Sequence, residues 1–206
     1  MRINRLVTGD IGENCYLIWQ DQSLLIIDPG ADAFMIKQQI KQTDALPVAI
    51  LLTHAHFDHI GAVDELRDEY RIPVYLNPLE FDWLQDPVLN LSVQLPEERQ
   101  VIVRPAEYKL ELRDYNLAGI SFRVVPTPGH SIGSVSFIFD DFVVSGDVLF
   151  NGSIGRTDFY TGNYEQLLDS VNSQLFQLAD EYTVYPGHGP ITSIGHEKIT
   201  NPFFVD

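Results

Sequence analysis

One cysteine, Cys15, stands in the 206 residues. No intrachain disulfide can form from it, and a thiolate cage around a metal is excluded. In "NCYLIW" it reads as a small buried hydrophobe in a reducing compartment. Basic residues are also scarce: 13 Lys and Arg face 29 Asp and Glu, a formal net charge of −16. A field of that sign repels phosphate backbones and anionic lipid, so neither nucleic acid nor a membrane is an expected partner. Long apolar runs are missing as well. Nothing approaches the roughly 18 to 20 residues that span a bilayer, and "MRINRLVTGDIGENCYLIWQD" holds no apolar segment of signal-peptide kind. The expectation is a soluble cytoplasmic protein. No stretch rich in Pro, Gly or Ser divides the sequence, and neither a solenoid repeat nor a low-complexity tract is present. Residues 1–206 are therefore read as a single domain.

What is present is ordinary in bulk. Hydrophobic residues make up 45% and charged residues 20%, enough for a globular core without staples. The runs "RINRLVT", "NCYLIWQ" and "SLLIIDPG" predict three strands, and "AFMIKQQIKQT" an amphipathic helix. "VAILLT" predicts a buried strand, "IGAVDELRDEYR" a helix, "PVYL" a strand and "PLEFDWLQD" a short helix. The segment 87–104 reads as an irregular connection. From "YKLELRDYNLAGISFRVVPTPG" onward the pattern turns antiparallel, with a tight hairpin at the two acidic residues between "FIF" and "FVV". "NYEQLLDSVNSQLFQLA" predicts the longest helix, "YTVYPGH" a last strand, and "ITSIGHEKITNPFF" one helical turn. Strands feeding helices in both halves predict an α/β protein, an αββα sandwich of two packed sheets with helices outside.

The histidines are not spread evenly. Five of the six follow a strand-like run, and three crowd into "LLTHAHFDHIGAV". Beyond a strand, residues two apart point to the same side, so His54 and His56 can grip one cation. Asp58 and His59 follow as the backbone turns toward a helix and can face a second. "VVPTPGHSIGS" places His130 in a Pro-Gly turn, "FVVSGDVLF" places Asp147 behind Gly146, and "YTVYPGHGP" places His188 between two glycines. Each has the order strand, small residue, ligand-type side chain. Imidazole and carboxylate donors suit zinc, iron or manganese rather than calcium. One zinc takes about three protein ligands and keeps an open position, so a set this large points to two cations. His196 lies outside the pattern and reads as a surface or supporting residue. Asp28 in "IIDPG" reads either as a turn-forming Asx residue or as a hydrogen-bond partner near the site, and Thr53 as a backbone partner.

In this order, "HAHFDH", "PGHSIGS", "SGDVLF" and "PGHGP" resemble the metallo-β-lactamase superfamily. With "NCYL", "IIDPG", "GSIGRTD" and "TSIGHEKITNPF", the sequence is most similar to its short bacterial glyoxalase II-like hydrolases. The resemblance implies the four-layer αββα metallo-β-lactamase fold. It assigns His54, His56 and His130 to one metal and Asp58, His59 and His188 to the other, with Asp147 bridging both. It further implies two divalent cations, zinc first with iron or manganese as alternatives. A hydroxide shared by the cations would attack the carbonyl carbon of a thioester such as S-D-lactoylglutathione, or of a small ester, with Asp58 orienting it. Arg156 stands where glyoxalase II has a Lys that holds the glutathione carboxylate, and Arg156 can do so by a bidentate contact or instead pair internally with Asp158. Asp158, where that group has a substrate-binding Tyr, is a departure. So is the brevity of the segment 189–206, since glyoxalase II proper carries a helical C-terminal domain. Phe150, Phe159 and Tyr160 are candidates to line a pocket, with core packing the alternative for at least one of them. The competing reading on the same fold is an iron-dependent persulfide dioxygenase, an oxidoreductase that "GRTDF" resembles. His188 weighs against it, because such enzymes lack a second metal site. A homodimer is left open.

Overall fold

Three β-rich runs at the start form an antiparallel meander in the computed structural model, which describes residues 1–205. These are β1 (Arg2–Thr8), β2 (Glu13–Gln20) and β3 (Ser23–Ile27). Helix α1 (Ala33–Ile40) then carries the chain across to β4 (Leu46–Leu51), which lies parallel to β3. Two helices follow, α2 (Phe57–Ile60) and α3 (Val63–Tyr70), and lead to β5 (Val74–Leu76). The single helix expected over "IGAVDELRDEYR" is thus split. A side chain at Gly61 would stand 2.3 Å from the Gly30 carbonyl oxygen, so backbone packs on backbone at the break.

The chain divides into two compact units, and the first comprises Met1–Leu110 with Asn116–Ile120. Its sheet has the order β1-β2-β3-β4-β5-β6, where β6 is Tyr108–Lys109. Here the structure departs from the sequence reading. "YKL" was expected to open the antiparallel region, yet β6 runs parallel beside β5. A parallel partner needs a long crossover, and the irregular connection supplies it, with 3₁₀ turns at Ser92–Gln94 and Glu97–Arg99. Strands β2 and β3 are buried along nearly their whole length, as expected of apolar runs covered on both faces. Ile36 of α1 and Val63 and Leu66 of α3 join Leu24, Ile26 and Ile50 in one core cluster.

The second unit comprises Glu111–Tyr115 and the chain from Ser121 onward. Its strands take up the start of β7 (Asp114–Leu117), nearly all of β8 (Ile120–Pro126), then β9 (Val135–Ile138) and β10 (Phe142–Gly146), followed by a short ribbon of β11 (Leu149–Phe150) and β12 (Ser153–Ile154). The β9–β10 hairpin turns at Asp140 and Asp141, where the Phe139 N–H donates to the Phe142 carbonyl at 2.9 Å. Helix α4 (Tyr164–Ser170) is capped by Asn163, whose side chain accepts from the Gln166 N–H, and it continues as a π-turn over Val171–Leu175. It brings β13 (Thr183–Pro186) back parallel to β10. The chain closes with β14 (Thr192–Ser193) and α5 (Ile194–Thr200), about two turns rather than the one expected. Leu167, Val171 and Leu175 pack with Val143, Val184 and Ile194 in the core of this unit. Among the described residues no helix is long and apolar enough to cross a membrane.

Candidate metal centre

In the first unit, β4 ends at Leu51 and the chain runs through Leu52 and Thr53 into His54, His56, Asp58 and His59. All three histidines are buried, with His54 and His59 at 0% exposure. A buried imidazole needs a partner for its N–H, and Asp28 at the end of β3 organises those partners. Its Oδ1 accepts from the Thr53 N–H at 2.7 Å and its Oδ2 accepts from the Thr53 hydroxyl at 2.5 Å. The same Oδ2 lies 3.0 Å from His59 Nδ1, and Thr53 Oγ1 lies 3.0 Å from His54 Nδ1. The Thr53 proton is committed to Asp28, so the hydroxyl accepts from His54 Nδ1–H. The carboxylate likewise accepts from His59 Nδ1–H. Both rings are thereby fixed in the tautomer that keeps the lone pair on Nε2, the form a metal ligand requires. His56 stacks on Trp83 with ring centroids 5.7 Å apart.

In the second unit the ligand-type residues sit on loops after β8, β10 and β13. His130 Nδ1 lies 2.7 Å from the Arg156 carbonyl. A carbonyl only accepts, so His130 too carries its proton on Nδ1 and its lone pair on Nε2. His130 and His188 each present Nε2 at 3.6 Å from one atom, Asp147 Oδ2. Phe159 stands edge-on to His130 and Phe150 edge-on to His188. Those two aromatics flank ligand-type rings, whereas Tyr160 is exposed.

These distances test whether the donor set fits a cation. A hydrogen bond between such atoms would measure about 2.7–3.2 Å. Two ligands about 2.1 Å from a tetrahedral cation stand about 3.4 Å apart. The His130–Asp147 and His188–Asp147 separations, and the 3.6 Å between His59 Nε2 and Asp58 Oδ2, match the second geometry. A glycine sits against the main chain of Asp58 and of Asp147, the two candidate carboxylate ligands. A Cβ at Gly30 would lie 1.6 Å from the Asp58 carbonyl oxygen, and one at Gly155 would lie 1.8 Å from that of Asp147. Only glycine permits either approach.

Two buried acids in the first unit were not singled out in the sequence. Glu80 Oε2 accepts from the Ala55 N–H at 2.7 Å, bracing the backbone between His54 and His56. Glu13 accepts from the Thr8 hydroxyl at 2.6 Å, and its Oε1 lies 4.0 Å from His59 Nδ1. Burial pushes the Glu13 carboxyl well above the usual carboxylate range. Neither residue belongs to a motif. The one signal available was an acid set between apolar neighbours, Leu79 and Phe81, for Glu80. Arg156 engages Asp158 bidentately, at 3.0 Å through Nε and 2.9 Å through Nη2, and lies over the Phe159 ring. His196 is exposed.

The model of the metallo-β-lactamase superfamily matches residues 8–188. A probable metallo-hydrolase of Streptococcus pyogenes is 47% identical, over 99% of this chain and 90% of its own length. Hydroxyacylglutathione hydrolase GloC of Haemophilus influenzae is 37% identical over 98% of both chains. Among solved structures, the BLEG-1 B3 metallo-β-lactamase superposes with a TM-score of 0.95 at 42% identity, covering 100% of both chains. TTHA1623, crystallised in a di-iron-bound form, has a TM-score of 0.82 at 38% identity, with 97% of this chain and 99% of that one covered. The fold is the metallo-β-lactamase fold of the α/β class, as the resemblance implied. The chain belongs to the metallo-β-lactamase superfamily and stands with its metallo-hydrolases.

Proposed function

We propose that the two ligand sets serve one pair of divalent cations in a cytoplasmic thioester hydrolase of glyoxalase II type. His54, His56 and His130 would hold one cation and Asp58, His59 and His188 the other, with Asp147 bridging. The observation that supports this reading most is the shared 3.6 Å spacing of His130 and His188 from a single oxygen of Asp147. One carboxylate oxygen serving two imidazoles is what a bridging ligand requires. Zinc is the first choice of metal, and the di-iron neighbour makes iron the leading alternative.

When bound, such a pair lowers the pKa of a water between the cations and polarises the substrate carbonyl. The residues of the chain supply the rest. Asp28 and Thr53 hold His54 and His59 in the required tautomer. Asp58 offers a carboxylate to orient the attacking water. Arg156, on the exposed "GRTD" loop, would hold a carboxylate of the thiol half, exchanging Asp158 for it. No general acid is needed for the leaving group, because a thiol ionises near pH 8.5 and departs as thiolate.

The test is thiol release from S-D-lactoylglutathione by metal-loaded protein, with a chelated control. Fast release abolished by the chelator is the expected outcome. Two metals per chain with no release would move the substrate to other thioesters and esters. The competing oxidoreductase reading would show instead as oxygen uptake with glutathione persulfide. The two-imidazole setting of Asp147, which includes His188, favours hydrolysis.

A further inference from the structure

Asp58 also lines a cavity of about 370 Å³, whose walls come entirely from the first unit. Ile11, Phe57, Leu95 and Val101 give it apolar surface. One wall is the turn at residues 8–12 between β1 and β2. Gly9 and Gly12, at φ 67° and 72°, allow that turn, and the Gly9 N–H donates to Asp32 Oδ2 at 2.9 Å. The turn carries Ile11, 55% exposed, onto the cavity wall.

The charges around the cavity differ in how fully they are engaged. Asp32 accepts from Gly9, and Glu65 accepts from Lys37 Nζ at 2.6 Å. Asp58 belongs to the ligand set. Among the described residues lining the cavity, Arg99 is the one cation. Its Nη2 donates to Asp10 Oδ2 at 2.5 Å, with the two side chains 56% and 78% exposed. Asp10 therefore takes a single corner of a guanidinium built for two-point contact with a carboxylate. At Arg156 Asp158 contacts two nitrogens, so an incoming carboxylate there displaces two contacts rather than one. An exposed, one-point ion pair contributes little. A ligand carboxylate that also covers the apolar wall can replace Asp10, which returns to water at the tip of its turn.

We infer that this cavity receives the end of the substrate that carries a carboxylate beside a short apolar segment, and that Arg99 selects it by exchanging Asp10 for the substrate carboxylate. The inference rests on the hydrolase reading of the metal ligands and adds to it a preference for anionic acyl groups of dicarboxylate type.

Two unreactive thioethers test it by calorimetry on the zinc-loaded chain: 4-[(2-acetamidoethyl)thio]butanoate and its uncharged primary amide. The acid should bind about tenfold tighter than the amide, as one charge-assisted contact allows. Arg99→Gln should erase that difference, Arg99→Lys should keep part of it, and Asp10→Asn should tighten the acid alone by freeing the guanidinium. Equal binding of the two probes, binding of neither, or an acid preference that survives Arg99→Gln would overturn the assignment. Kinetics with the S-succinyl and S-butyryl thioesters of N-acetylcysteamine separate the two readings. If Arg99→Gln abolishes the probe difference but wild type cleaves neither thioester, the hydrolase reading fails and Arg99 stands. If wild type cleaves both with equal KM and the probes bind alike, the hydrolase reading stands and Arg99 falls.

Discussion

In the first unit His54 and His59, two of the proposed ligands, lean on side chains, Thr53 and Asp28, whereas in the second His130 leans on a main-chain carbonyl, that of Arg156. The histidines of the first set are buried, His54 and His59 fully, while His188 of the second keeps 25% of its side chain in contact with solvent. A side-chain brace can be removed by one substitution. A carbonyl brace cannot, because every residue type brings the same oxygen. The first set should therefore be fragile to mutation of residues that never touch a cation. The second should respond only to loss of a ligand itself or to a change in the glycines that shape its loops.

Asp147→Ala breaks the comparison most severely, because the proposed bridging ligand belongs to both cations. Metal content should fall from two per chain to below one, and thiol release should drop to the level of the chelated control. Elemental analysis of the purified variant checks the first, and two metals retained would sink the dinuclear assignment. Asp28→Ala comes next. It removes the acceptor of the Thr53 hydroxyl and of His59 Nδ1–H together, and loss of such a partner lowers metal affinity by about 10- to 100-fold. Competition against a chromogenic chelator measures this. Affinity unchanged within error would mean that the tautomers are held by something other than Asp28.

Most of this architecture was legible from periodicity. The strands over "NCYLIWQ" and "SLLII" and the hairpin at Asp140 and Asp141 follow from local pattern, since each is decided by neighbouring residues. The direction of β6 was not legible. Two residues carry no orientation, and only the long connection from β5 lets Tyr108–Lys109 pair in parallel. The proposed ligands stood out in the sequence because metal ligation needs rare side chains at fixed spacings. Their braces were hidden to different degrees. Asp28 was visible as a polar residue ending an apolar strand, but its partners lie 25 and 31 positions away. Glu80 and Glu13 had no motif to mark them. The Arg156 carbonyl had no signal at all, since main-chain chemistry leaves no trace in side-chain identity.

That last point gives Arg156→Ala a split outcome. The substitution deletes the guanidinium and its pair with Asp158 but keeps the carbonyl that fixes His130. Metal content should stay at the wild-type value, while KM for an anionic thioester rises by up to about tenfold with kcat nearly constant, the signature of lost uniform binding. A fall in metal content would show that the loop, and with it the carbonyl, depends on the Arg156–Asp158 pair. Unchanged kinetics would leave Arg156 a structural residue of its loop.

The smallest effect expected is none, and it bears on the first unit alone. Cys15 lies on β2 with 0% exposure. Burial pushes its thiol well above the ordinary value, with the charges of Glu13 and Asp28 adding to the rise. At pH 8 its thiolate fraction is therefore below that of a free cysteine, and alkylation reports opening of the surrounding strands rather than the thiol itself. If side chains brace the first ligand set without help from a cation, removing the metal should leave the alkylation rate of Cys15 within about twofold of the loaded protein. In both states it should stay on the order of a hundredfold or more below the rate in urea. Stripped protein that labels as fast as the unfolded chain would show that the cations, and not the Asp28–Thr53 network, keep that unit closed.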